Sequence, residues 1–376
     1  MTDPSRDSAP GHAADTSYTP QVTPRVERLL IPWLHRTGAA RVARHLTRTR
    51  AVMGMYHGFT ARDAHDGIAN YEEKHLRQRA FRDQLLFLKA HYRVVGLDEV
   101  VKSCSTGSPL PDRAAVITID DGYRSIYTVA YPVLQELQLP AAVFLATDFV
   151  DNRQFLWTDR VEYAVDHCTR DSIDVEVGPA RLTLPLGGRA SRIAADRRLR
   201  SAMKALPQEA RDRAVEALEA AAGCRLVEGA GATDLYEPLL WSEASEMAAS
   251  GLVTIGSHTH THVILSRCDP ARAAEELRLS KSIIEDRLGR RCHLFCYPNG
   301  RRGDFNQTTK RLLQEHGFTG ALTTVYGMNS RTADPFELKR YNFGKPLITG
   351  ELEVRLSGLM DLGSMLKQSL RPERGF

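Results

Sequence analysis

The sequence predicts an α/β fold, a barrel of seven or eight parallel strands, on two observations. Short uncharged apolar runs alternate with longer segments in which apolar residues recur at helical spacing. This strand–helix–strand alternation is typical of parallel sheets, and the number of repeats fits a barrel better than an open sheet. The length of 376 residues accommodates a barrel of about 250 residues together with added segments.

The predicted elements follow one another in a regular order after the first fifty residues. Pro132 interrupts one helical pattern and is expected to kink it. Asp269 and Gly289 bracket another helix as its N-cap and its C-terminal glycine. Strands are predicted at 52–56, 93–96, 115–119, 141–146, 252–256, 293–297 and 320–324. Helices are predicted at 81–92, 126–137, 241–250, 270–288 and 306–316.

Segments of different character divide the chain. Residues 1–24 are rich in Pro, Ser and Thr without an apolar run, which predicts a disordered leader and no signal peptide. Residues 159–222 combine a β-like patch with an Arg- and Ala-rich helical run, which predicts an insertion or subdomain. The barrel is then formed by 51–158 and 223–345, and 346–376 are expected to be a C-terminal tail.

The segment 25–50 is basic, with seven arginines and Glu27 as its one acidic residue. It is predicted to form one or two amphipathic helices. A solvated helix packed on the main domain is the simpler expectation. The alternative is a peripheral contact with a membrane surface or a lipid-linked substrate. The apolar side would be formed by Leu29, Leu30, Trp33 and Leu34.

Composition excludes several classes of protein. The formal net charge of +4, from 50 Lys and Arg against 46 Asp and Glu, gives no reason to expect a nucleic-acid partner. No run of about 20 apolar residues is present, which argues against a membrane-spanning helix. The six cysteines form no CxxC pair, which together with the missing export signal predicts reduced thiols and a cytoplasmic location. Nothing in the sequence indicates an oligomeric state.

The first chemical motif is a pair of carboxylates, Asp120 and Asp121, directly after the strand 115–119. Active sites of α/β barrels are assembled at the C-terminal ends of strands. Adjacent side chains point in different directions, so one carboxylate can bind a metal while the other faces a reacting water. Asp-Asp-Gly is also ordinary turn chemistry, so this motif alone does not establish a site.

The second motif contains three histidines, His258, His260 and His262, after the strand 252–256. One helical turn would place the first and the last imidazole on the same side. With Asp121, two of these histidines would form a three-ligand metal site that leaves one position open for water. Such an open position is typical of a catalytic zinc site.

The third motif is the end of the strand 293–297, where Tyr297 is followed by Pro298 and Asn299. A proline-containing turn at a strand end can aim a backbone N–H at a developing oxyanion. A plain exit from strand to loop explains the segment equally well.

In this order, the three motifs resemble those of the polysaccharide deacetylase family, the family-four carbohydrate esterases, which include chitooligosaccharide deacetylases. The resemblance covers about 53–343. It implies a distorted (β/α) barrel with about seven strands and one divalent metal ion, Zn²⁺ foremost, with Co²⁺ or Ni²⁺ as alternatives. It also implies that Asp120 is the general base and that Tyr297 donates its backbone N–H to the oxyanion. The implied metal ligands are Asp121, His258 and His262.

The sequence departs from the family pattern at two places. Many members carry an Arg two residues before the proline of the third motif, where this chain has Cys296. The late Leu-x-His that supplies the general acid is also absent, so the general acid is unassigned. His260 is expected to point away from the metal or to support its ligands. Three further residues are predicted to bind substrate: His57, Pro298 and Asn299.

The resemblance implies a metal-dependent hydrolase that removes an N-acetyl group from an acetamido sugar in a saccharide or glycan precursor. Its partner would be a carbohydrate or aminosugar, although the sugar and the acyl group stay open. One alternative is an amidohydrolase-type metal hydrolase acting on another amide, because His258 and His260 also form an H-x-H pattern. The other is a non-catalytic glycan-binding relative, which the missing Arg and acid motifs would favour.

Overall fold

The structure is a computed structural model that describes residues 24–227, 235–344, 347 and 349–359. The predicted leader therefore lies outside the described residues. The strands are β1 Val52–Tyr56, β2 Gly58–Thr60, β3 His75–Arg77, β4 Arg93–Val94, β5 Ala114–Ile119, β6 Ala141–Leu145, β7 Ser172–Val177, β8 Ala180–Pro185, β9 Val253–Ser257, β10 Leu294–Cys296, β11 Gly320–Leu322 and β12 Tyr341–Asn342.

The α-helices lie between these strands and at both ends of the described chain. They are α1 Pro24–Arg36, α2 Ala39–Leu46, α3 Gln78–His91, α4 Leu97–Thr106, α5 Tyr131–Leu137, α6 Thr147–Asp151, α7 Trp157–His167, α8 Arg189–Lys204, α9 Gln208–Ala222, α10 Trp241–Ala249, α11 Pro270–Leu288, α12 Gln307–Glu315 and α13 Thr349–Leu356. Within the described residues, no helix is long and apolar enough to cross a lipid bilayer.

Seven parallel strands form the main sheet, in the order β11-β10-β9-β6-β5-β1-β12, and β4 pairs with the start of β5. The two ends of this order approach each other, because Leu338, just before β12, pairs with Leu322 of β11. The sheet is thus a strongly curved, distorted (β/α) barrel, and the predicted fold class is confirmed. The carboxyl ends of all seven strands face one end of the barrel, where the three sequence motifs lie.

Strand β5 shows why the barrel has apolar residues on both faces. All six of its residues are buried. Ala114 and Val116 pack with Phe144 in one cluster, whereas Ile117 and Ile119 belong to the larger cluster beneath the helices. Alternate residues of a strand point to opposite faces, so a strand covered on both sides is a continuous apolar run.

The residues predicted to end or interrupt two helices, α11 and α5, have the expected effect in the structure. The Asp269 side chain accepts a 3.0 Å hydrogen bond from the Arg272 backbone N–H at the start of α11, and Gly289 follows its last turn with φ 61°. Left-handed φ is favourable for glycine, which explains the stop. Pro132 occupies the first turn of α5 after a wide π-helical turn, Ile126–Ala130. A proline without an N–H is tolerated there, so the predicted helix is divided at this point.

The segment 159–222 folds into a hairpin, β7–β8, and the helices α8 and α9, as its β-like and helical patterns predicted. Helix α7 crosses into this segment from the barrel. These elements enclose an apolar core of their own, separate from the barrel clusters. The segment thus has the packing of a small subdomain. Members of this core include Val161, Val175, Leu184, Leu199 and Leu218.

The predicted tail, 346–376, differs from the expectation in its first part. Residues 349–356 form α13, which packs against α1 and α2. Glu353 binds His35 at 2.6 Å and Arg44 at 3.1 Å. The basic segment at the start of the chain therefore forms two helices, and α13 packs against both of them. Residues 360–376 lie outside the described residues.

Candidate active site

The predicted metal ligands lie together at the carboxyl ends of β5 and β9. The Nε2 atoms of His258 and His262 are 3.5 and 3.4 Å from Oδ1 of Asp121. One ligand atom from each side chain lies within 4.8 Å of the others. Two imidazoles and one carboxylate, mostly removed from solvent, fit a divalent metal such as zinc and leave a coordination position open. Metal binding itself stays a prediction.

The neighbouring strand orients His258. Its Nδ1 donates a 2.7 Å hydrogen bond to the backbone carbonyl of Cys296, at the end of β10. A carbonyl oxygen only accepts, so a proton is on Nδ1, and Nε2 is the ring nitrogen that faces Asp121. This arrangement is typical of metal-binding histidines, whose second nitrogen is fixed by a hydrogen-bond acceptor.

The loop 258–262 is not the helical turn expected from the spacing of its histidines. Thr259 and His262 have left-handed φ values of 67° and 55°, which break any helical repeat. The buried carboxylate of Glu276, on α11, holds the loop instead. It accepts the N–H groups of His260 and Thr261 at 2.9 and 2.8 Å and the Thr261 hydroxyl at 2.7 Å. The sequence does not indicate this role, because Glu276 lies fourteen residues after the motif, on a helix.

Asp121 stands in a strained turn. Its φ is 76°, and that of Gly122 is 100°, where an added Cβ would lie 3.0 Å from a methyl group of Val150. Non-glycine residues held in this region cluster at functional sites. Burial alone would raise the pKa of Asp121, but hydrogen bonds from His258 and His262 hold it well below its usual range. The carboxylate is therefore charged and available as a metal ligand at neutral pH.

The carboxylate of Asp120 forms an ion pair with a buried arginine, Arg340. Nη1 and Nη2 of Arg340 each donate a 2.8 Å hydrogen bond to a different oxygen of Asp120. Both side chains are almost completely inaccessible to solvent. Burial raises the pKa of Asp120, but the charge and hydrogen bonds of Arg340 outweigh it, so the pKa is lowered overall. Asp120 is consequently an oriented carboxylate anion beside the metal-ligand cluster.

The sequence analysis assigned no role to Arg340, which lies immediately before β12 and belongs to a Leu338-Lys339-Arg340 segment that also resembles the family. Its Nε donates to the Thr323 carbonyl at 2.8 Å, and its Nη1 also contacts the Thr118 hydroxyl at 3.1 Å. Its Nη2 lies 3.0 Å from Sγ of Cys296. The small thiol at the position where many relatives carry Arg leaves room for a guanidinium from another strand. The sequence signal for this role was the position of Arg340 next to a strand end, where site residues of barrels lie.

The role expected of Tyr297 is not supported. Its backbone N–H donates to the Leu322 carbonyl at 3.0 Å, so it is engaged in the β10–β11 pairing rather than directed at an oxyanion. Tyr297 is the last residue of the predicted strand 293–297, and the expected role overlooked that its N–H can still pair with the neighbouring strand. The Tyr297 ring packs in the core, stacked on Phe305. Pro298 is buried beside it.

The inserted segment reaches the catalytic loops through the turn between α8 and α9. Lys204 donates a 2.6 Å hydrogen bond to the side-chain oxygen of Asn299, a residue with φ 60°. Gln208 donates to the Thr261 hydroxyl at 3.1 Å. Asn299, predicted to bind substrate, thus also anchors the subdomain at the site.

A cavity of about 130 Å³ lies between the subdomain and the metal-ligand loop. His262 lines it from the barrel, Arg211 lines it from the subdomain, and Trp157 lines it from the start of α7. The Arg211 guanidinium lies over the Trp157 ring, 5.3 Å from its centre. A larger cavity of about 460 Å³ contains none of the metal-ligand residues and lies beside Phe59. Of these two cavities, the smaller one is lined by a residue of the metal-ligand cluster, His262.

The remaining histidines separate into one near the site and several away from it. His57 is half-buried between β1 and β2 and borders the site, because the carbonyl of the preceding Tyr56 accepts the Asp120 backbone N–H at 2.9 Å. His260 is bonded to the Thr147 hydroxyl at 2.9 Å and is outside the metal-ligand cluster, as expected. His293 pairs with Asp98 at 2.5 Å, and His316 follows the end of α12.

Comparison with known proteins identifies the family. A family model described as polysaccharide deacetylase matches residues 107–321, more than half of the chain. The chain belongs to the polysaccharide deacetylase family. The match includes Asp120, Asp121, His258 and His262, whereas His57 and Arg340 lie outside it.

Two curated relatives of this polysaccharide deacetylase family member are poly-beta-1,6-N-acetyl-D-glucosamine N-deacetylases. The enzyme of Escherichia coli (strain K12) is 35% identical over 100 residues, which are 26% of this chain and 15% of the relative. The enzyme of Staphylococcus epidermidis RP62A is 34% identical over 89 residues, 23% of this chain and 29% of the relative. The similarity therefore spans less than a third of either relative.

Two solved structures are similar in fold. The Streptococcus pyogenes deacetylase PplD in complex with acetate has a TM-score of 0.51 and 16% identity, with 87% of this chain and 100% of that chain covered. IcaB from Ammonifex degensii has a TM-score of 0.50 and 18% identity, with 82% and 96% covered. At these identities, the likeness supports the barrel architecture alone.

Proposed function

We propose that this polysaccharide deacetylase family member is a metal-dependent N-deacetylase of acetamido sugars in saccharides or glycan precursors. One observation carries the proposal: the metal-ligand cluster Asp121–His258–His262 lies next to a carboxylate base, Asp120, which Arg340 holds in position. A purely structural metal site does not require an oriented carboxylate base beside its ligands, whereas a hydrolytic site does.

In this reaction, water adds to the acetamide carbonyl, the C–N bond breaks, and acetate and a free sugar amine are formed. Asp121, His258 and His262 would hold the divalent metal, which when bound supplies Lewis-acid activation of the water and the carbonyl. Asp120 accepts a proton from the attacking water. Each carboxylate oxygen has two lone pairs, so the bonds to Arg340 leave Asp120 able to accept that proton.

The leaving nitrogen needs a proton donor, and we assign this role to His57. It is half-buried at the carboxyl end of β1, directly after Tyr56, whose carbonyl accepts the Asp120 backbone N–H at 2.9 Å. His75 is buried, and burial holds its pKa well below the ordinary value, so it does not carry a proton at neutral pH. An imidazole next to the carboxylates can deliver its proton to the amine as the C–N bond breaks.

Replacing His57 with Gln is expected to lower kcat by about 100-fold, because the amine must then leave without a positioned proton donor. Metal content should stay unchanged, since His57 is outside the metal-ligand cluster. The measurement is acetate release at saturating substrate, together with metal analysis. The matched control is His260→Gln, which removes another half-buried histidine and should retain turnover. Equal activity of both variants would refute the assignment.

The substrate class we propose is a saccharide built of N-acetylglucosamine. The two curated relatives act, by name, on poly-beta-1,6-N-acetyl-D-glucosamine. The cavity beside His262 has an aromatic side, Trp157. Aromatic rings bury the apolar faces of sugars efficiently, so this side suits a sugar ring next to the one that is deacetylated.

The test is acetate release from β-1,6-linked N-acetylglucosamine oligomers by purified, metal-analysed protein. We expect the purified protein to contain about one divalent metal ion per chain and to release acetate over many turnovers. The variant His262→Ala should lose both the metal and the activity. Metal-loaded protein that binds the oligomers and releases no acetate would instead support the non-catalytic glycan-binding alternative. Acetate release from simple amides but from no acetamido sugar would support a general amide hydrolase.

A further inference from the structure

The first two helices expose large apolar side chains to solvent. Trp33 of α1 is 59% exposed, and Val42 and Leu46 of α2 are 62% and 68% exposed. Val42 and Leu46 are four residues apart and share one side of α2. The opposite side of α2 is buried through Ala40 and Ala43. These exposed side chains are therefore not needed to attach the helices to the barrel.

Cationic side chains accompany this exposed apolar surface. Arg36, Arg41 and Arg48 are all exposed, and Arg48 pairs with the exposed Asp112 at 3.3 Å. The sequence has no acidic residue between Arg28 and Arg50. Glu353, the carboxylate that α13 brings to these helices, is buried between His35 and Arg44. The outer surface of α1 and α2 is thus apolar and positively charged.

We propose that this surface, Trp33, Val42 and Leu46 with the surrounding arginines, docks the protein on an anionic phospholipid bilayer. Trp and aliphatic side chains insert at the boundary between head groups and acyl chains, and arginines pair with lipid phosphates. The combination fits a bilayer better than a nucleic acid, which would leave the apolar side chains exposed. The inference goes beyond the proposed function and does not depend on it.

The position of α2 in the fold decides how the active site is oriented. The Arg113 N–H, just before β5, donates a 2.6 Å hydrogen bond to the Arg48 carbonyl. The end of α2 therefore lies at the amino-terminal end of β5, whereas Asp120 follows its carboxyl end. Six strand residues span about 20 Å, so the docking surface is at the end of the barrel away from the site. On a bilayer, this surface would hold the protein with the carboxyl ends of the strands, and so the site, facing away from the lipid.

The test is co-sedimentation of the full chain with vesicles of equimolar phosphatidylglycerol and phosphatidylcholine. We expect binding that weakens with salt and that falls about tenfold or more in the triple variant Trp33→Ala, Val42→Ser, Leu46→Ser. The double variant Arg36→Glu, Arg41→Glu should show a similar loss. The matched controls are Leu86→Ser and Val227→Ser, which remove exposed apolar side chains outside this surface.

Three results would overturn the proposal: no sedimentation with anionic vesicles, equal sedimentation with pure phosphatidylcholine, or unchanged binding by both multiple variants. Thermal unfolding shows whether the triple variant is folded. If it is not, vesicle binding by the double variant Arg36→Glu, Arg41→Glu tests the proposal instead. Acetate release from soluble oligomers should be the same for wild type and variants, because the docking surface is remote from the site. Vesicle binding is measured without turnover, so its failure leaves the proposed deacetylase function intact.

Discussion

Replacing Asp120 with Asn is expected to lower kcat by about 1000-fold while metal content stays at the wild-type level. The amide is nearly the same size as the carboxylate but cannot accept the proton of the attacking water. Metal binding should persist, because Asp121, His258 and His262 form a ligand cluster without Asp120, whose two oxygens are bonded to Arg340, although Asp120 also lies near His258 and Cys296. Acetate release and metal analysis on the same preparation measure the two effects separately.

The control for this experiment is Asp148→Asn. Asp148 lines the cavity beside His262 and lies 3.9 Å from His260, but it is outside the metal-ligand cluster. Its variant loses a negative charge near the site without losing the base, so turnover should stay within a few-fold of wild type. Full activity of metal-loaded Asp120→Asn protein would contradict the proposed mechanism, whereas loss of metal would mean that Asp120 belongs to the ligand set.

The barrel could be predicted from the sequence because its strands are buried on both sides. Such strands are uninterrupted apolar runs, and β1 begins and ends where its run does, at Val52 and Tyr56. Helix α11 was equally predictable, since Asp269 and Gly289 mark its ends with local chemistry. The bounds of these elements follow from local sequence patterns, namely an apolar run for the strand and capping residues for the helix, and such patterns can be read from one sequence.

The candidate site could be predicted in its residues but less well in its geometry. The pairing of Asp121 with two histidines followed from motifs at strand ends. The shape of the loop 258–262 did not, because Glu276 on a later helix holds it. The docking of the subdomain through Lys204 and Gln208 was likewise hidden, since both residues act on loops far away in the chain.

Arg340 is the clearest case of a functional residue that local patterns conceal. The family pattern directs attention to position 296, where this chain has Cys. The structure supplies the guanidinium from the border of β12, 220 residues after its partner Asp120. Contacts over such separations depend on which strands become neighbours, and this is determined only when the barrel is formed.

Replacing Arg340 with Met should therefore damage both stability and turnover. It leaves the Asp120 carboxylate buried without its partner, and breaking a buried ion pair in this way typically costs about 3–5 kcal/mol in the free energy of unfolding. The lowered pKa of Asp120 depends on Arg340, so the pKa should rise in the variant. A base with a higher pKa is protonated at higher pH, so the acid limb of the kcat/KM profile should move to higher pH.

The pH profile distinguishes a positioning role for Arg340 from a merely structural one. If Arg340 only stabilised the fold, surviving Arg340→Met protein would keep the wild-type profile in spite of a lower midpoint of urea unfolding. Arg340→Lys should restore part of the lost activity, because it returns the charge without the two-pronged geometry. A stricter test adds Cys296→Arg to Arg340→Met, since Sγ of Cys296 lies 3.0 Å from Nη2 of Arg340. Recovery of turnover in this double variant would show that Asp120 requires a guanidinium at this place, whichever strand supplies it.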